Sequence, residues 1–205
     1  LKDCITINTT DFFRDKTPYE YLEEVLIPKI GSNVGKTKTI RILSAPCSSG
    51  EEPYTLAMIV DHLKKNQIIQ NPVKIFACDI EYNILEKAKN GCFHNDKLKL
   101  VPETYRKTYF TKVDKHFSKI DLALKKYIEF FHHNLLMPLP TKIPKMDLIL
   151  CRNLLIYIPM KKQKRILNNL KAKIIQNSYL MLGKTESLLI FNPKGFTNEN
   201  AREHI

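Results

Sequence analysis

Short apolar runs alternate along the chain with longer stretches whose apolar positions recur at helical spacing. Four of these runs are typical of β-strands: KTIRILSA (38–45), VKIFACD (73–79), MDLILC (146–151) and SYLMLG (178–183). The almost uninterrupted apolar character of MDLILC is expected of a parallel strand that is covered on both faces. Between the runs, stretches such as YTLAMIVDHLKK (54–65) and KQKRILNNLKAKII (162–175) have the spacing of amphipathic helices. This alternation predicts an α/β fold, with a parallel sheet between two layers of helices.

Residues that cap helices mark the ends of two of the predicted helices. Thr17, Pro18 and Glu20 predict a capped start for TPYEYLEEVLIPKI, and Asn90-Gly91 predicts the end of NILEKAKNG. The segment GSNVGKT (31–37) resembles a phosphate-binding loop. It has three residues between its glycines where the motif needs four, and it precedes a strand, whereas such a loop follows one. We therefore expect a loop before the strand and no nucleotide triphosphate site.

Composition narrows the class of protein further. The 205 residues fit one sizeable domain, and no apolar run approaches the ~18 residues that a membrane span requires. The five cysteines include no C-x-x-C pair, which indicates reduced thiols in a cytoplasmic protein without a metal site. The net charge of +12 favours an anionic partner: nucleic acid, an anionic membrane surface or an acidic protein. A lysine-rich surface without a partner is the alternative.

Three of the predicted strands end in residues that could line one crevice. Ligands of open α/β sheets bind beyond the carboxyl ends of the strands, and these ends fall at Ser44-Ala45, Asp79 and Cys151-Arg152. An acid in the position of Asp79 can accept hydrogen bonds from a ribose diol. The alternative role for Asp79 is to cap the helix that begins near Glu81.

Two adjacent carboxylates, Glu51 and Glu52, follow the first strand. They could simply favour a helix N-terminus through the helix dipole, with Ser49-x-x-Glu52 as a capping box. A carboxylate here would otherwise attract a cation rather than a phosphate. S-adenosylmethionine, which carries both a ribose and an ammonium group, fits this acid together with Asp79.

Six segments, in order, carry a resemblance to a known family: NTTDFFRD (8–15), SAPCSSGEEPYTLAM (44–58), FACDIEYNILEKAKNG (76–91), IEFFHHNLL (128–136), CRNLLIYI (151–158) and LGKTESL (182–188). The chain resembles the chemotaxis receptor methyltransferases of the CheR type. The resemblance implies a Rossmann-like class I fold for S-adenosylmethionine-dependent methyltransferases, over residues 1–205. It also implies a small antiparallel β subdomain at 109–132. The helical domain that precedes this fold in the family is expected to be absent or truncated.

The resemblance assigns roles to individual residues. The expected contacts to the cofactor are Asn8, Thr10 and Arg14 at its methionine end, Ala45 in the turn, Glu52 at the amine, Asp79 at the ribose, Asn134 and Leu135 at the adenine, and Cys151 and Arg152 in the pocket floor. Two residues are expected to act in catalysis. Arg14 could hold the carboxylate of the cofactor or of the substrate, and Tyr157 could orient the incoming carboxylate. An ordinary core tyrosine is the alternative for Tyr157.

The implied reaction is methyl transfer from S-adenosylmethionine to glutamate side chains of chemoreceptor cytoplasmic domains. The products would be glutamyl methyl esters and S-adenosylhomocysteine, without a metal, nucleic acid or membrane insertion. A nucleic-acid methyltransferase and a non-catalytic cofactor-binding scaffold are the alternatives. Family members that bind a peptide at the receptor C-terminus have a glycine-containing loop in the small subdomain. Residues 109–130 contain no glycine, so we expect no binding of a receptor-tail peptide.

Overall fold

A five-stranded parallel sheet forms the centre of the fold. The computed structural model of the chain describes residues 10–186 and 196–205. The strands of the large sheet are β1 (Ile40–Ser44), β2 (Val73–Asp79), β6 (Ile128–His132), β7 (Met146–Cys151) and β8 (Ile174–Leu182). They lie in the order β6-β2-β1-β7-β8, and every neighbouring pair is parallel. The predicted α/β fold with a parallel sheet is therefore confirmed.

Helices cover both faces of this sheet. They are α1 (Thr17–Tyr21), α2 (Ile27–Val34), α3 (Glu51–Lys65), α4 (Tyr82–Asn90), α5 (Glu103–Tyr109) and α6 (Met160–Lys171), with a π-helical stretch at Leu22–Leu26 and 3₁₀ turns at Asn95–Leu98, Leu122–Tyr127 and Leu155–Tyr157. The core has two parts, one on each side of the sheet. Along β1, Ile40 and Ile42 face the layer of α2 and α3, whereas Leu43 faces the layer of α6. This alternation is the period of two that a strand imposes, and it explains why the strands read as continuous apolar runs.

Glycines determine where two of the helices begin and end. Gly50 precedes α3 with φ of 100°, and a Cβ at this position would lie 2.9 Å from the Cβ of Ala88 in α4. Gly91 ends α4 in the left-handed region, as Asn90-Gly91 predicts. The turn before α3 is therefore held close to α4, because only glycine fits both its backbone angle and the available space.

A second, smaller sheet lies beside the large one, and its bounds differ from the predicted range of 109–132. Its strands are β3 (Cys92–His94), β4 (Phe110–Lys112) and β5 (Phe117–Ile120), in the antiparallel order β3-β5-β4. The first strand thus precedes the predicted range. Residues Ile128–His132 pair instead with β2 of the large sheet, because their apolar side chains bury against its core. Strands of three or four residues leave too weak a pattern for the sequence to locate them.

Two local predictions near the N-terminal helices are wrong, the first of them only in part. The segment Gly31–Val34 is the last part of α2, so the predicted loop before β1 begins at Gly35, and a Cβ on Gly31 would lie 2.8 Å from the side-chain oxygen of Asn71. Close packing, rather than turn geometry, thus accounts for this glycine. The predicted cap at Thr17 is also absent, since its hydroxyl donates to the Glu203 carboxylate at 3.1 Å.

Candidate active site

The carboxyl ends of three neighbouring strands meet at one edge of the large sheet. Ser44 lies opposite Ala77 of β2 and Leu150 of β7, so β1 ends level with both neighbours. The N–H of Ala45 donates to the carbonyl of Leu150 at 3.0 Å. Ala45 is fully buried, as is Cys151 at the end of β7. The structure therefore brings together the strand ends that the sequence predicts to line one crevice, including those that carry Asp79 and Arg152.

Glu52 lies in the first turn of α3, with its carboxylate buried among polar groups. It accepts a hydrogen bond from the Ser44 hydroxyl at 2.7 Å and one from the Tyr19 hydroxyl at 3.2 Å. A guanidinium nitrogen of Arg152 lies 3.8 Å away. Burial raises the pKa of Glu52, although the Arg152 charge and the two hydroxyls favour its ionised form. Two acceptor positions of the carboxylate remain for a cationic ligand.

The capping-box alternative for Glu52 is wrong. Gly50 is the residue that precedes the helix, and the Ser49 hydroxyl donates to the Glu51 carboxylate at 2.7 and 2.9 Å. The Glu52 carboxylate instead accepts hydrogen bonds from Ser44 and Tyr19, and it does not form the hydrogen bond with Ser49 that a capping box requires. Both glutamates do lie in the first turn of α3, where a carboxylate favours the helix dipole.

Arg152 connects this carboxylate to the segment at the start of the described chain. Its guanidinium is almost fully buried, donates to the Tyr19 hydroxyl at 2.9 Å and pairs with the Asp15 carboxylate at 2.8 Å. It also lies over the Tyr19 ring, 5.2 Å from its centroid. The C-terminal end of β7 and the turn before α1 are thereby held against each other. Arg152 thus fixes two sides of the crevice and orders the groups around Glu52.

Asp79 ends β2 and is buried at the same edge. One carboxylate oxygen accepts from the Ser48 N–H at 2.8 Å, and the other accepts from the Glu81 N–H at 3.0 Å. Burial raises the pKa of Asp79, and the backbone N–H groups of Glu81, Ser48 and Ile80 oppose the shift. Glu81 is the residue that precedes α4, so Asp79 orders the approach to this helix without capping its interior N–H groups. A carboxylate has about four acceptor sites, so these donors leave room for a hydrogen bond from a ribose hydroxyl.

Asn134 and Leu135 follow β6 and lie next to Asp79. His132 is the partner of Asp79 in the sheet, and the His133 N–H donates to the Asp79 carbonyl at 2.9 Å. The side-chain oxygen of Asn134 accepts from the Leu136 N–H at 3.0 Å, which leaves the amide N–H₂ as its free donor group. Leu135 is buried in the core layer of α6. A donor beside an apolar wall suits the edge and face of a purine.

The segment before α1, where contacts to the methionine end of the cofactor are predicted, lies against the end of β7 through Arg152. Phe12 and Phe13 anchor it in the core, and the Lys97 ammonium donates to the Thr10 carbonyl at 2.5 Å. Arg14 is half-buried, and its carbonyl accepts from Arg152 at 3.4 Å. The predicted site residue Asn8 lies outside the described residues.

Tyr157 ends a 3₁₀ turn six residues after β7, and 47% of its surface is exposed. The core-tyrosine alternative is therefore wrong for this residue. The turn is held by Glu186, whose carboxylate accepts from the N–H groups of Asn153 at 2.8 Å and Leu155 at 2.6 Å. Glu186 also accepts from the Gly183 N–H at 2.7 Å. The carboxylate thus keeps the backbone before Tyr157 in one conformation.

Sequence reasoning missed three polar residues that the structure places here: Asp15, Tyr19 and Glu186. Tyr19 has the spacing of a core position, and nothing local distinguishes it. Glu186 does have a signal, because it is the one acid in residues 148–198 and lies four residues after the end of a strand.

The described residues fit S-adenosylmethionine and provide no metal site. Two buried carboxylates with unused acceptor positions suit a ribose diol and an ammonium group. The hydroxyl of Ser48, whose N–H donates to Asp79, is buried and has no partner among the described residues, as expected of a group that meets a ligand. Within residues 10–186 and 196–205, no three His, Cys, Asp or Glu side chains are arranged to hold a metal ion.

Comparison with known proteins shows one consistent similarity. The family profile described as CheR methyltransferase, SAM binding domain, matches residues 8–205. A chemotaxis protein methyltransferase of Borreliella burgdorferi is 33% identical over 193 residues, covering 92% of this chain and 67% of that protein. One of Vibrio anguillarum is 36% identical, covering 91% and 67%. Chemotaxis protein methyltransferase 2 of Vibrio cholerae is 34% identical, covering 95% and 68%. Among solved structures, DszA carbon methyltransferase aligns with a TM-score of 0.49 and 15% identity. The alignment covers 80% of this chain and 34% of that chain.

Proposed function

The chain belongs to the CheR methyltransferase family, and we propose that it transfers methyl groups from S-adenosylmethionine to glutamate side chains of chemoreceptors. The single observation that carries this proposal is the pair of buried carboxylates, Glu52 and Asp79, at one edge of a parallel sheet. Their remaining acceptor positions suit the ammonium group and the ribose of the same cofactor. Supporting this, relatives in three organisms are named chemotaxis protein methyltransferases.

Each side of the crevice would bind one part of the cofactor. Glu52 would accept from the ammonium group, and Asp79 from the two ribose hydroxyls. The Asn134 amide would donate to the adenine edge while Leu135 packs against its face. Asn8, Thr10 and Arg14 would hold the methionine end. Ala45, Cys151 and Arg152 would form the floor, with Arg152 acting by ordering Tyr19 and Glu52.

The protein has little covalent chemistry to perform. When bound, S-adenosylmethionine supplies a methyl group activated by its sulfonium, so the C–S bond breaks as a carboxylate oxygen forms the new O–C bond, leaving neutral S-adenosylhomocysteine. A substrate glutamate has a pKa of about 4.3 and is already ionised near neutral pH, so no general base is needed. The residues of the site therefore act by aligning the substrate oxygen with the methyl carbon and by excluding water.

Tyr157 and Arg14 are the residues assigned to the substrate side. The exposed Tyr157 hydroxyl could donate to one oxygen of the incoming carboxylate and thereby aim the other at the methyl group. Arg14 lies in the segment that Arg152 holds, and its guanidinium suits a carboxylate of either cofactor or substrate. Glu186 would act as a positioning residue, since it fixes the turn that carries Tyr157.

The partner would be the cytoplasmic domain of a chemoreceptor. Among the described residues no helix is both long and apolar enough to cross a membrane. The charge of +12 would attract an acidic receptor surface. Neither nucleic acid nor a receptor-tail peptide is part of the proposed function.

One experiment tests the proposal directly. The protein is incubated with methyl-labelled S-adenosylmethionine and a chemoreceptor cytoplasmic fragment, and the labelled fragment is then treated with mild base. A glutamyl methyl ester predicts release of the label as methanol. Label that resists base would contradict an ester product, and label found on added RNA or DNA would support the nucleic-acid alternative. Cofactor binding without any transfer would support the non-catalytic scaffold.

A further inference from the structure

The segment 148–185 differs in charge from the rest of the chain. It contains eight Lys and Arg residues and no Asp or Glu, although the whole chain has 21 acids. Four of these cations, Lys161, Lys162, Lys164 and Arg165, lie exposed on the first half of α6. We call these four residues the basic face. It begins four residues after Tyr157 along the chain.

The three lysines of the basic face make no ion pair within the part of the chain that the structure describes. Lysines elsewhere commonly have such partners, as in Lys89 with Glu86 at 2.8 Å and Lys97 with Asp11 at 3.2 Å. The basic face therefore does not serve to balance charge inside the protein.

The position of the lysines on the helix is also unfavourable for the helix itself. Lys161 and Lys162 lie in the first turn of α6, which contains no acidic residue. The N-terminus of a helix carries a partial positive charge, so cations there are unfavourable for the helix. An acidic partner would remove this cost, because it would meet the lysines and the helix N-terminus together.

Exposed apolar side chains adjoin the basic face. Ile156 is 47% exposed and Met160 is 62% exposed, and Tyr157 lies between them in the chain. The Arg165 guanidinium contacts the sulfur of Met137 at 3.9 Å, and Met137 is itself half exposed. An apolar centre with a charged rim is the usual anatomy of a protein interface. Phosphate groups would engage the lysines alone, so these apolar residues favour a protein partner over nucleic acid.

We propose that the basic face and the apolar residues Ile156 and Met160 form the docking surface for the acidic helix that carries the target glutamate. This inference rests on the proposed function and specifies which surface captures the protein substrate. Two observations select this occupant. The surface is continuous with Tyr157, so a helix lying on it would place its carboxylates at the crevice. Its charge is complementary to a glutamate-bearing helix and repels a basic one.

The test is a triple charge reversal, Lys161→Glu with Lys162→Glu and Lys164→Glu. Methylation of a chemoreceptor cytoplasmic fragment is measured as kcat and KM, and S-adenosylhomocysteine affinity is measured by calorimetry. Binding of the fragment itself is measured without turnover. We expect KM and the Kd of the fragment to rise by about tenfold or more, with kcat and cofactor affinity changed by less than about twofold. The wild-type KM should rise steeply with salt, and the variant should lose most of that dependence.

A matched control reverses three exposed lysines at the opposite edge of the sheet. Lys36 and Lys38 precede β1, and Lys145 precedes β7, so all three lie at the amino ends of strands. The variant with all three changed to Glu has the same net charge as the test variant. Its KM should stay within about twofold of the wild type. Equal effects of the two triple variants would overturn the proposal, because they would indicate an effect of net charge alone.

A second arm tests the apolar part of the surface. The exposed positions of Ile156 and Met160 mean that Ile156→Ala with Met160→Ala should fold normally. We expect KM to rise several-fold while its salt dependence stays that of the wild type, since apolar contacts are not screened. An unchanged KM in both this variant and the triple charge reversal would overturn the proposal. The proposal would also be overturned if the triple charge reversal abolished binding of a nucleic acid while the receptor fragment still bound with wild-type affinity.

Failure of the proposed function gives a different result. If the wild type bound no S-adenosylhomocysteine and released no base-labile label, the function would fail. The docking surface would still be judged by whether the fragment binds the wild type more tightly than the charge-reversed variant.

Discussion

The Glu186 carboxylate accepts a 2.6 Å hydrogen bond from the N–H of Leu155, two residues before Tyr157. The two residues are 31 positions apart, and the same carboxylate also holds the N–H groups of Asn153 and Gly183. The strand-to-turn connection on one side of the crevice is thus organised by a carboxylate that accepts three backbone hydrogen bonds.

The first prediction concerns this organising role. Glu186→Ala leaves three N–H groups without their acceptor and should destabilise the fold by about 1–3 kcal/mol for each one that stays buried. Glu186→Gln keeps one acceptor oxygen and should fold with a smaller loss. In the Gln variant kcat should fall while cofactor affinity stays near that of the wild type, because the turn carrying Tyr157 is loosened. Urea unfolding, kinetics and calorimetry measure these quantities. A Gln variant with unchanged kcat would show that Glu186 is purely structural.

Asp79 is the subject of the second prediction. Asp79→Ala removes the proposed acceptor of the ribose hydroxyls and should weaken S-adenosylhomocysteine binding by about 1–3 kcal/mol, which is roughly 5- to 150-fold. Glu86→Gln, on the exposed side of α4, is the control and should bind as the wild type does. Calorimetry on both folded variants makes the comparison. If the Asp79→Ala and Glu86→Gln variants bound S-adenosylhomocysteine with equal affinity, Asp79 would not be a ribose contact.

The sequence is informative where a residue's role depends on its immediate neighbours. The runs ending at Ser44, Asp79 and Cys151 are strands because each is apolar enough to be buried on both faces, and Gly91 ends a helix because its backbone angle requires glycine. The partners of Glu52 could not be found in this way. Tyr19 and Arg152 are 133 positions apart and meet only through the tertiary fold.

The small sheet shows a different limit. Strands such as Cys92–His94 and Phe110–Lys112 are too short for an alternating pattern to stand out from charged neighbours. The family resemblance therefore implies that an antiparallel element is present, but the bounds predicted for it, 109–132, differ from those of the observed strands. Similarly, packing against Asn71 accounts for Gly31 within α2, although the local pattern predicts a loop.

A third prediction uses the raised pKa of Glu52. Burial favours its protonated form, and only the ionised carboxylate attracts the ammonium group of the cofactor. The affinity for S-adenosylhomocysteine should therefore fall as the pH is lowered through this raised pKa. The effect of Glu52 on folding stability has the opposite pH dependence. Because its pKa is higher in the folded than in the unfolded protein, its contribution to the free energy of unfolding is greatest at low pH and is lost as the pH rises through the folded-state pKa.

Methylthioadenosine, which keeps the ribose and adenine but lacks the amine, is the matched probe for this effect. Asp79 also has a raised pKa, but it would affect both ligands alike. The difference between their pH profiles should therefore isolate Glu52, and it should disappear in Glu52→Gln. Identical profiles for the two ligands in the wild type would exclude Glu52 as the amine contact.

The fourth prediction separates catalysis from binding. Tyr157→Phe removes a hydroxyl assigned to the substrate carboxylate, so kcat should fall by about tenfold while cofactor affinity stays unchanged. Tyr82→Phe is a suitable control, because Tyr82 is also exposed and lies on α4. Its turnover should equal that of the wild type. Full turnover by the Tyr157 variant would show that other residues align the substrate carboxylate with the methyl group.

The last prediction concerns the small sheet and the receptor tail. Its order, β3-β5-β4, leaves β4 at one edge with only the residues Phe110–Lys112 to pair with an added strand. The turn between β4 and β5 contains no glycine. The Asp114 carboxylate closes it instead, accepting from the N–H groups of His116 at 2.6 Å and Phe117 at 2.8 Å. An edge of three residues offers few main-chain hydrogen bonds, and a turn fixed by its own aspartate has little freedom to enclose a peptide.

We therefore expect no binding when receptor C-terminal peptides are titrated into the protein, and the same methylation rate for receptors with and without their tails. Without a tether, capture would depend on direct docking to the receptor, and because salt screens the charged part of that contact, KM should rise with salt. A scrambled peptide of equal charge serves as the control for non-specific attraction. Sequence-specific binding at micromolar concentrations, or methylation that collapses when the tail is removed, would show that a short edge without glycine is sufficient to hold the peptide.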